Sequence, residues 1–185
     1  AQSGYIGTSM NDIASKLGVT KAALYKHYKS KQEILDSIIE KMNELDIERV
    51  KQYEMSEGDL EKVTAEYKET AFDKIKQFTK VQFLHWTEEE FSSRFRKMLT
   101  LEQYRDSEMA QLYQKYLASG PLTYMEALFS GMLGDEGKAS QTALDFYGPV
   151  FLLYSIYDGA EDKSQMIKLL EEHMDHFYRE MQKNL

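Results

Sequence analysis

The chain has 185 residues, ten glycines, two prolines, no cysteine and a formal net charge of −8 at pH 7. A chain of this length can bury a sizeable core. The lack of cysteine excludes disulfides, thiolate metal sites and thiol nucleophiles, and it fits a reducing cytoplasm, where we expect the protein to reside. No apolar run approaches the roughly 20 residues of a membrane span, and the visible start carries no secretory leader, so we expect no membrane partner.

Two short helices joined by Gly18 are predicted near the start of the chain. Ser9 and Asp12 have the spacing of a capping box at the first helix, and Gly18 ends it. Its apolar face has helical spacing and consists of Met10, Ile13, Ala14 and Leu17. Thr20 is the expected cap of the second helix, with Val19 packing on Leu24 as a hydrophobic staple. This order of elements is typical of a DNA-binding helix-turn-helix.

The same segment is basic within an acidic chain. Between residues 16 and 31 there are five lysines and no acidic residue: Lys16, Lys21, Lys26, Lys29 and Lys31. Residues 1–54 hold eight basic and eight acidic residues, so the net charge of −8 lies in residues 55–185. A local basic surface on an otherwise acidic protein indicates contact with a polyanion.

The N-terminal pattern resembles that of the TetR family of bacterial transcription regulators. The match covers about the first 45 residues and is carried by Gly4, Thr8, Ile13-Ala14, Gly18-Val19, Leu24-Tyr25, His27-Tyr28 and Lys31. By this resemblance Lys21, Ala22 and Ala23 face base edges. The same resemblance gives contacts with the DNA backbone to Tyr25, Lys26, His27 and Lys31, and places Thr8, Ser9 and Asn11 near a phosphate. The cap Thr20 is also counted among the predicted DNA-binding residues. Lysine can donate a hydrogen bond to guanine, and the alanine methyl groups can contact a thymine methyl group. Two alanines read little by hydrogen bonding, so we expect DNA shape to contribute to sequence recognition as well.

Family members begin with a helix that packs across the helix-turn-helix, and here Ala1 to Gly4 resembles only its last turn. We therefore expect the natural protein to be longer. The resemblance implies an all-α fold with a DNA-binding domain at residues 1–45 and a helical effector-binding and dimerisation domain at residues 46–185.

A long third helix is predicted from about residue 30 to 54, capped by Ser30 and Glu33, and it would connect the two domains. A break is expected at Met55–Gly58. Later helices are predicted at about 59–86, 88–104, 106–118, 121–133, 138–157 and 162–182.

Aromatic residues and methionines are frequent in these helices, and most are expected to form the core. The family resemblance implies an effector pocket between the middle helices, suited to a small amphipathic or aromatic ligand. Its expected walls are Phe83, Trp86, Phe95, Tyr104, Tyr124 and Phe151, and its candidate polar anchors are His85, Arg94 and Gln103.

The last two helices are predicted to form a dimer interface, because the first of them is apolar nearly all round. The residues assigned to this interface are Phe146, Val150, Tyr154, Met166, Leu170, His173, Met174 and Phe177. Pairing with a second copy would give a four-helix interface and a two-fold homodimer, while burial within a monomeric bundle is the alternative.

The sequence favours a repressor that a small effector releases from a near-palindromic operator. The alternatives are an effector-independent DNA-binding protein and, less favoured, a small helical carrier or enzyme. No nucleophile elbow, phosphate-binding glycine loop or HExxH motif occurs, so no catalytic residue and no cofactor are predicted. His173 and His176 lack a third ligand, so no metal site is predicted.

Overall fold

The computed structural model describes residues 3–53 and 72–183, and within these ranges the secondary structure is helical without a strand. The predicted all-α fold is therefore confirmed. The expected break at Met55–Gly58 and the start of the helix that follows it lie outside the described residues. The helices are α1 (Met10–Leu17), α2 (Lys21–Tyr25), α3 (Lys31–Gln52), α4 (Phe72–Thr87), α5 (Glu90–Glu102), α6 (Ser107–Leu117), α7 (Ser119–Leu133), α8 (Glu136–Gly159) and α9 (Lys163–Lys183).

Local capping sets the limits of α1. The Ser9 side chain accepts a hydrogen bond from the Asp12 amide while the Asp12 carboxylate accepts one from the Ser9 amide, as the capping box predicted. Gly18 ends the helix in the left-handed conformation, with φ at 67°. That conformation strains any residue with a Cβ, so glycine suits this position.

A small core of its own holds α1 and α2 together. It consists of Met10, Ala14 and Leu24, with Ile13, Tyr28 and Ile34 packed around them. Two apolar residues predicted to pack here do not: Leu17 is 63 % exposed and Val19 is 44 % exposed. The expected staple between Val19 and Leu24 is thus not part of this core.

Helix α3 connects this N-terminal head to the body. Ser30 caps it by accepting from the Glu33 amide, and the Glu33 carboxylate accepts from the Lys29 amide. Leu35 and Met42, farther along α3, are buried in the main core of the protein. The helix therefore starts at the helix-turn-helix and ends inside the body.

The body is a bundle of α4 to α9 in which α7, α8 and α9 pack around an aromatic centre. The rings of Phe129, Phe146 and Phe177 lie 5.1 to 5.7 Å apart, centroid to centroid. Helix ends follow local signals: Asp106 caps α6, Asp135 caps α8, and Gly134 ends α7 with φ at 67°. Within the described residues no helix combines the length and apolarity needed to cross a bilayer.

The residues predicted for the dimer interface lie inside a single chain. Seven of the eight are at most 8 % exposed and belong to the main core, and the eighth, His173, is half-buried with its Nε2 atom 2.9 Å from the Phe146 carbonyl oxygen. Because α8 and α9 pack on each other, their most apolar faces cover one another. Apolar residues that point outward from these two helices are different ones: Leu144, Leu152, Ile156 and Leu169.

Candidate nucleic-acid interface and body cavity

The start of α2 is presented at the surface of the head. Thr20 accepts a hydrogen bond from the Ala23 amide at 3.1 Å, which fixes the first turn. Lys21 and Ala22 are exposed, Ala23 is half-buried, and Leu24 anchors the helix from beneath. The Lys21 ammonium lies 5.7 Å from the centre of the Tyr25 ring. The three residues expected to face base edges are therefore brought together on one exposed turn.

Three lysines and an imidazole surround this turn. Lys16, Lys26, His27 and Lys29 are all exposed. The neighbouring carboxylates are engaged in helix caps: Asp12 holds the start of α1, and its hydrogen bonds with Ser9 lower its pKa. Glu33 holds the start of α3. Residues 9–33 hold five lysines against two carboxylates, Asp12 and Glu33, so their net charge is positive, which suits the phosphate backbone of DNA.

Three residues predicted to touch DNA are engaged within the protein. Lys31 is half-buried, and its ammonium donates to the Tyr5 carbonyl at 2.6 Å and lies 4.2 Å from the centre of the Tyr5 ring. The Thr8 hydroxyl donates to the Gly4 carbonyl at 2.7 Å, and Ser9 serves as the α1 cap. Asn11 is exposed. The structure thus gives Lys31 a role in holding residues 3–8 against α3.

A buried carboxylate joins these first residues to the body. Glu102, the last residue of α5, is fully buried, and its Oε1 atom accepts a hydrogen bond from the Ile6 amide at 3.0 Å. Gly4, with φ at 69°, lies so close that a Cβ atom there would be 1.8 Å from Glu102 Oε1. Sequence reasoning missed this residue. A carboxylate at a helix C-terminus is disfavoured by the helix dipole, and that was the available signal.

Gln32 forms a second tie between the head and the body. Its side chain accepts from the Tyr5 hydroxyl at 2.8 Å and donates to Glu108 of α6 at 2.9 Å. The head is therefore attached at the corner between α5 and α6 as well as through α3.

The body contains a cavity of about 550 Å³, a size typical of small-molecule sites. Helices α3, α4, α6, α7 and α8 supply its walls. The lining residues are Asp46, Ile47, Val50, Phe78, Thr79, Gln82, Trp86, Lys115, Tyr116, Gly120, Pro121, Tyr124, Met125, Phe146, Tyr147, Val150 and Tyr154.

Of the nine residues predicted for an effector pocket, Trp86 and Tyr124 line this cavity. Three others stand directly behind its wall: Phe83 stacks on Tyr154 at 5.1 Å, Phe95 packs edge-on against Tyr116 at 5.5 Å, and the Phe151 ring lies 6.3 Å from that of Tyr147. Helical spacing identified the apolar face of each helix but not which layer each ring occupies.

Three further predicted residues lie away from the cavity. Tyr104 is 90 % exposed. Gln103 donates to the Thr100 carbonyl at 3.2 Å, and Arg94 pairs with Glu90 at 2.5 Å on the outer face of α5. Arg94 and Phe95 border a smaller cleft of about 360 Å³ between α3 and α5. Arg94 lies on the outer face of α5, and Gln103 and Tyr104 follow the end of that helix, positions that helical spacing alone does not assign.

A buried polar cluster borders the cavity where α3 meets α4. Arg49 is 7 % exposed; it donates from Nε to Gln82 at 3.1 Å and from Nη2 to Asp46, and its Nη1 lies 2.7 Å from His85 Nδ1. A guanidinium can only donate, so Nδ1 accepts from Arg49 only in the tautomer that carries its proton on Nε2. The same Nδ1 atom also lies 2.7 Å from a Glu89 carboxylate oxygen. Burial, and then the Arg49 charge, lower the pKa of His85 to about 4 even though Glu89 acts in the opposite direction. His85 is therefore neutral at pH 7.

Two of the tyrosine hydroxyls around the cavity are held by protein partners. Tyr147 donates to the Leu117 carbonyl at 2.8 Å, and Tyr116 donates to Asn43 of α3 at 2.7 Å. Burial raises the pKa of Tyr147 and of Tyr154, so both phenols are neutral. The lining residues that carry charge are Asp46 and Lys115.

A helix-turn-helix head with an exposed basic surface, mounted on a helical body, defines a DNA-binding protein of the transcription-factor type. Residues 1–38 match the family described as bacterial regulatory proteins, tetR family. This similarity lies in the segment that carries the predicted resemblance to the TetR family, and it supports a DNA-binding transcriptional regulator. Comparison with curated proteins finds no matching relative.

Proposed function

We propose that the protein is a repressor that leaves a near-palindromic operator when a small amphipathic or aromatic effector enters the body cavity. The observation that carries this proposal is the course of α3. Its first residues adjoin the helix-turn-helix, and its later residues Asp46, Ile47 and Val50 form part of the cavity wall. A ligand in the cavity therefore touches the helix that supports the DNA-binding head.

In the proposed complex, Lys21, Ala22 and Ala23 face base edges in the major groove. Lys26 and His27, with the Tyr25 hydroxyl, contact the sugar-phosphate backbone. Lys31 acts indirectly, because it holds residues 3–8 in place. The proposed division into residues 1–45 and 46–185 cuts α3, whose residue Met42 is fully buried in the core of the body. The head is thus mechanically continuous with the body.

We further propose that the protein works as a two-fold homodimer built on the outer faces of α8 and α9. Leu144, Leu152 and Ile156 lie on one i, i+4 row of α8 with Gly148, and they are 43 to 57 % exposed. Leu169 of α9 is 41 % exposed. An outward apolar row of this kind suits helix packing against a second copy. Two heads related by a two-fold axis would address two half-sites about one helical turn or a multiple of it apart.

The cavity walls favour an effector with a flat apolar body. Seven aromatic side chains contribute to the lining: Phe78, Trp86, Tyr116, Tyr124, Phe146, Tyr147 and Tyr154. To weaken DNA binding, the effector must bind the DNA-incompetent arrangement of the heads more tightly than the competent one. DNA and effector would then oppose each other's binding by the same factor.

The test is fluorescence-anisotropy binding to duplexes that the protein itself selects from a random library, across a salt series and against scrambled duplexes. The proposal expects tight, salt-dependent and sequence-selective binding that small aromatic ligands weaken. Equal affinity for selected and scrambled duplexes would refute sequence-selective recognition of an operator, and with it the proposed mechanism. Selective binding that responds to none of the ligands entering the cavity would favour an effector-independent DNA-binding protein instead.

A further inference from the structure

The buried arginine on α3 makes contacts that link this helix to the wall of the cavity. The three donor groups of Arg49 each meet a different acceptor: Asp46, one turn earlier on α3, and Gln82 and His85 on α4. One guanidinium therefore joins α3 to α4, beside the edge-on packing of Tyr53 on Phe78. Removing a partner from a buried charge is strongly destabilising, so the position of α3 depends on these acceptors.

Two of the three acceptors also face the cavity. Asp46 and Gln82 are lining residues, whereas Arg49 lies behind them. A ligand that donates a hydrogen bond to either oxygen competes directly with the guanidinium. A ligand anion, by contrast, would meet the Asp46 carboxylate at this end of the cavity and be repelled.

Among the lining residues, Asp46 offers a carboxylate, which attracts a cationic ligand group. Burial raises the pKa of Asp46 while Arg49 and Lys115 act in the opposite direction, so a bound cation would further stabilise its charged form. The surrounding aromatic rings present faces that attract cations. Lys115, the lining cation, is exposed and lies 5.1 Å from the centre of the Tyr116 ring.

From this geometry we infer the coupling between the cavity and the DNA-binding head. Arg49 is a positioning residue that couples cavity occupancy to the head. The effector is an aromatic cation whose charged end binds Asp46 and Gln82 and displaces Arg49 from them. This inference rests on the proposed effector control. An ammonium group at Asp46 removes an acceptor from Arg49 and places a second cation beside it. The guanidinium and the second half of α3 then move away from α4. Over its 22 residues, about 33 Å, a rigid α3 transmits that movement to the head.

The probe is 1-naphthylmethylammonium, with the neutral 1-naphthylmethanol as its matched partner. Both are titrated against the full chain by following the fluorescence of Trp86, the single tryptophan, which lines the cavity. DNA affinity is then measured with and without saturating probe on the selected duplex. In the unmodified protein the ammonium probe is expected to weaken DNA binding about tenfold, and the alcohol by less than about twofold.

Two variants test the role of Arg49, and a third serves as the control. Arg49→Met removes the competing cation, so the ammonium probe should bind more tightly while its effect on DNA affinity is lost. Arg49→Lys keeps the positive charge but cannot make the three contacts, so the effect of the probe on DNA affinity should also be lost. This second variant keeps the test valid if Arg49→Met does not fold. Lys115→Met removes the other nearby cation and should tighten probe binding but leave the effect on DNA intact.

The outcomes separate this inference from the proposed function. A tenfold effect that persists in both Arg49 variants would overturn the role of Arg49 but leave effector control standing. Equal effects of the ammonium and the alcohol would overturn the cationic class of effector. Probes that change Trp86 fluorescence but never DNA affinity in the unmodified protein would overturn the effector control and this inference together.

Discussion

Lys26 and Lys31 are both lysines of the basic segment, but the structure gives them different roles, and this difference can be measured. Lys26 is exposed, and the proposal places it on a phosphate. Losing one phosphate contact lowers the slope of log K against log salt by about 0.9. Between about 50 and about 200 mM salt, the affinity loss of Lys26→Ala should therefore shrink by about 3.5-fold, equally for selected and scrambled duplexes.

Lys31→Ala should leave the salt slope unchanged. It removes the charged hydrogen bond to the Tyr5 carbonyl and the contact with the Tyr5 ring, which together should lower the free energy of unfolding by about 2 kcal/mol. Salt-dependent anisotropy and urea unfolding measure the two effects, with Lys138→Ala, whose side chain is 76 % exposed on the body, as the matched control. A slope lowered by about 0.9 in Lys31→Ala would refute the structural role argued for this lysine.

Four further predictions follow from the head, the junction, the outer face of α8 and the buried histidine. Lys21→Ala should change which duplexes are preferred, and an equal loss on all duplexes would rule out base reading by this residue. Gly4→Ala should lower the free energy of unfolding in urea by about 2 kcal/mol, because its Cβ would meet Glu102 and its φ is positive; a neutral effect would show that the junction is not rigid. Leu152→Glu should convert the proposed dimer to monomer in sedimentation, while an unchanged mass would place the interface elsewhere. The His85 pKa of about 4 lies below its ordinary 6.5, so the unfolded chain binds the proton more readily; about 2 to 3 kcal/mol of stability present above pH 6.5 should be lost as the pH falls to about 4, a dependence that His85→Gln should flatten in urea unfolding.

Local signals predicted the head well. The caps at Ser9, Thr20 and Ser30 and the left-handed Gly18 depend on contacts between residues at most four positions apart, and the structure contains all of them. The amphipathic spacing also identified most helices of the body to within a few residues. Sequence reasoning placed most of the aromatic residues on helices correctly, although Tyr104 lies in the turn after α5. It could not separate the cavity wall from the layer behind it.

The residues predicted for the dimer interface are buried within one chain for a related reason. Phe146 and Phe177 belong to the most apolar stripes of α8 and α9, and a stripe can be covered by the same chain or by a second one. In the structure the two stripes cover each other, and the weaker apolar row of Leu144 and Leu152 is the one left outside. Hydrophobic pattern measures how strongly a face avoids water, but it does not say which neighbour covers it.

The sequence by itself determined the helix-turn-helix, its basic surface and the all-α class, because capping, periodicity and charge are properties of neighbouring residues. Only the tertiary structure decided that Lys31 holds Tyr5, that Glu102 reaches the Ile6 amide across 96 positions, and that Arg49 links α3 to the cavity. These contacts join residues far apart in the chain. Their partners are chosen by how whole helices pack, which no local pattern encodes.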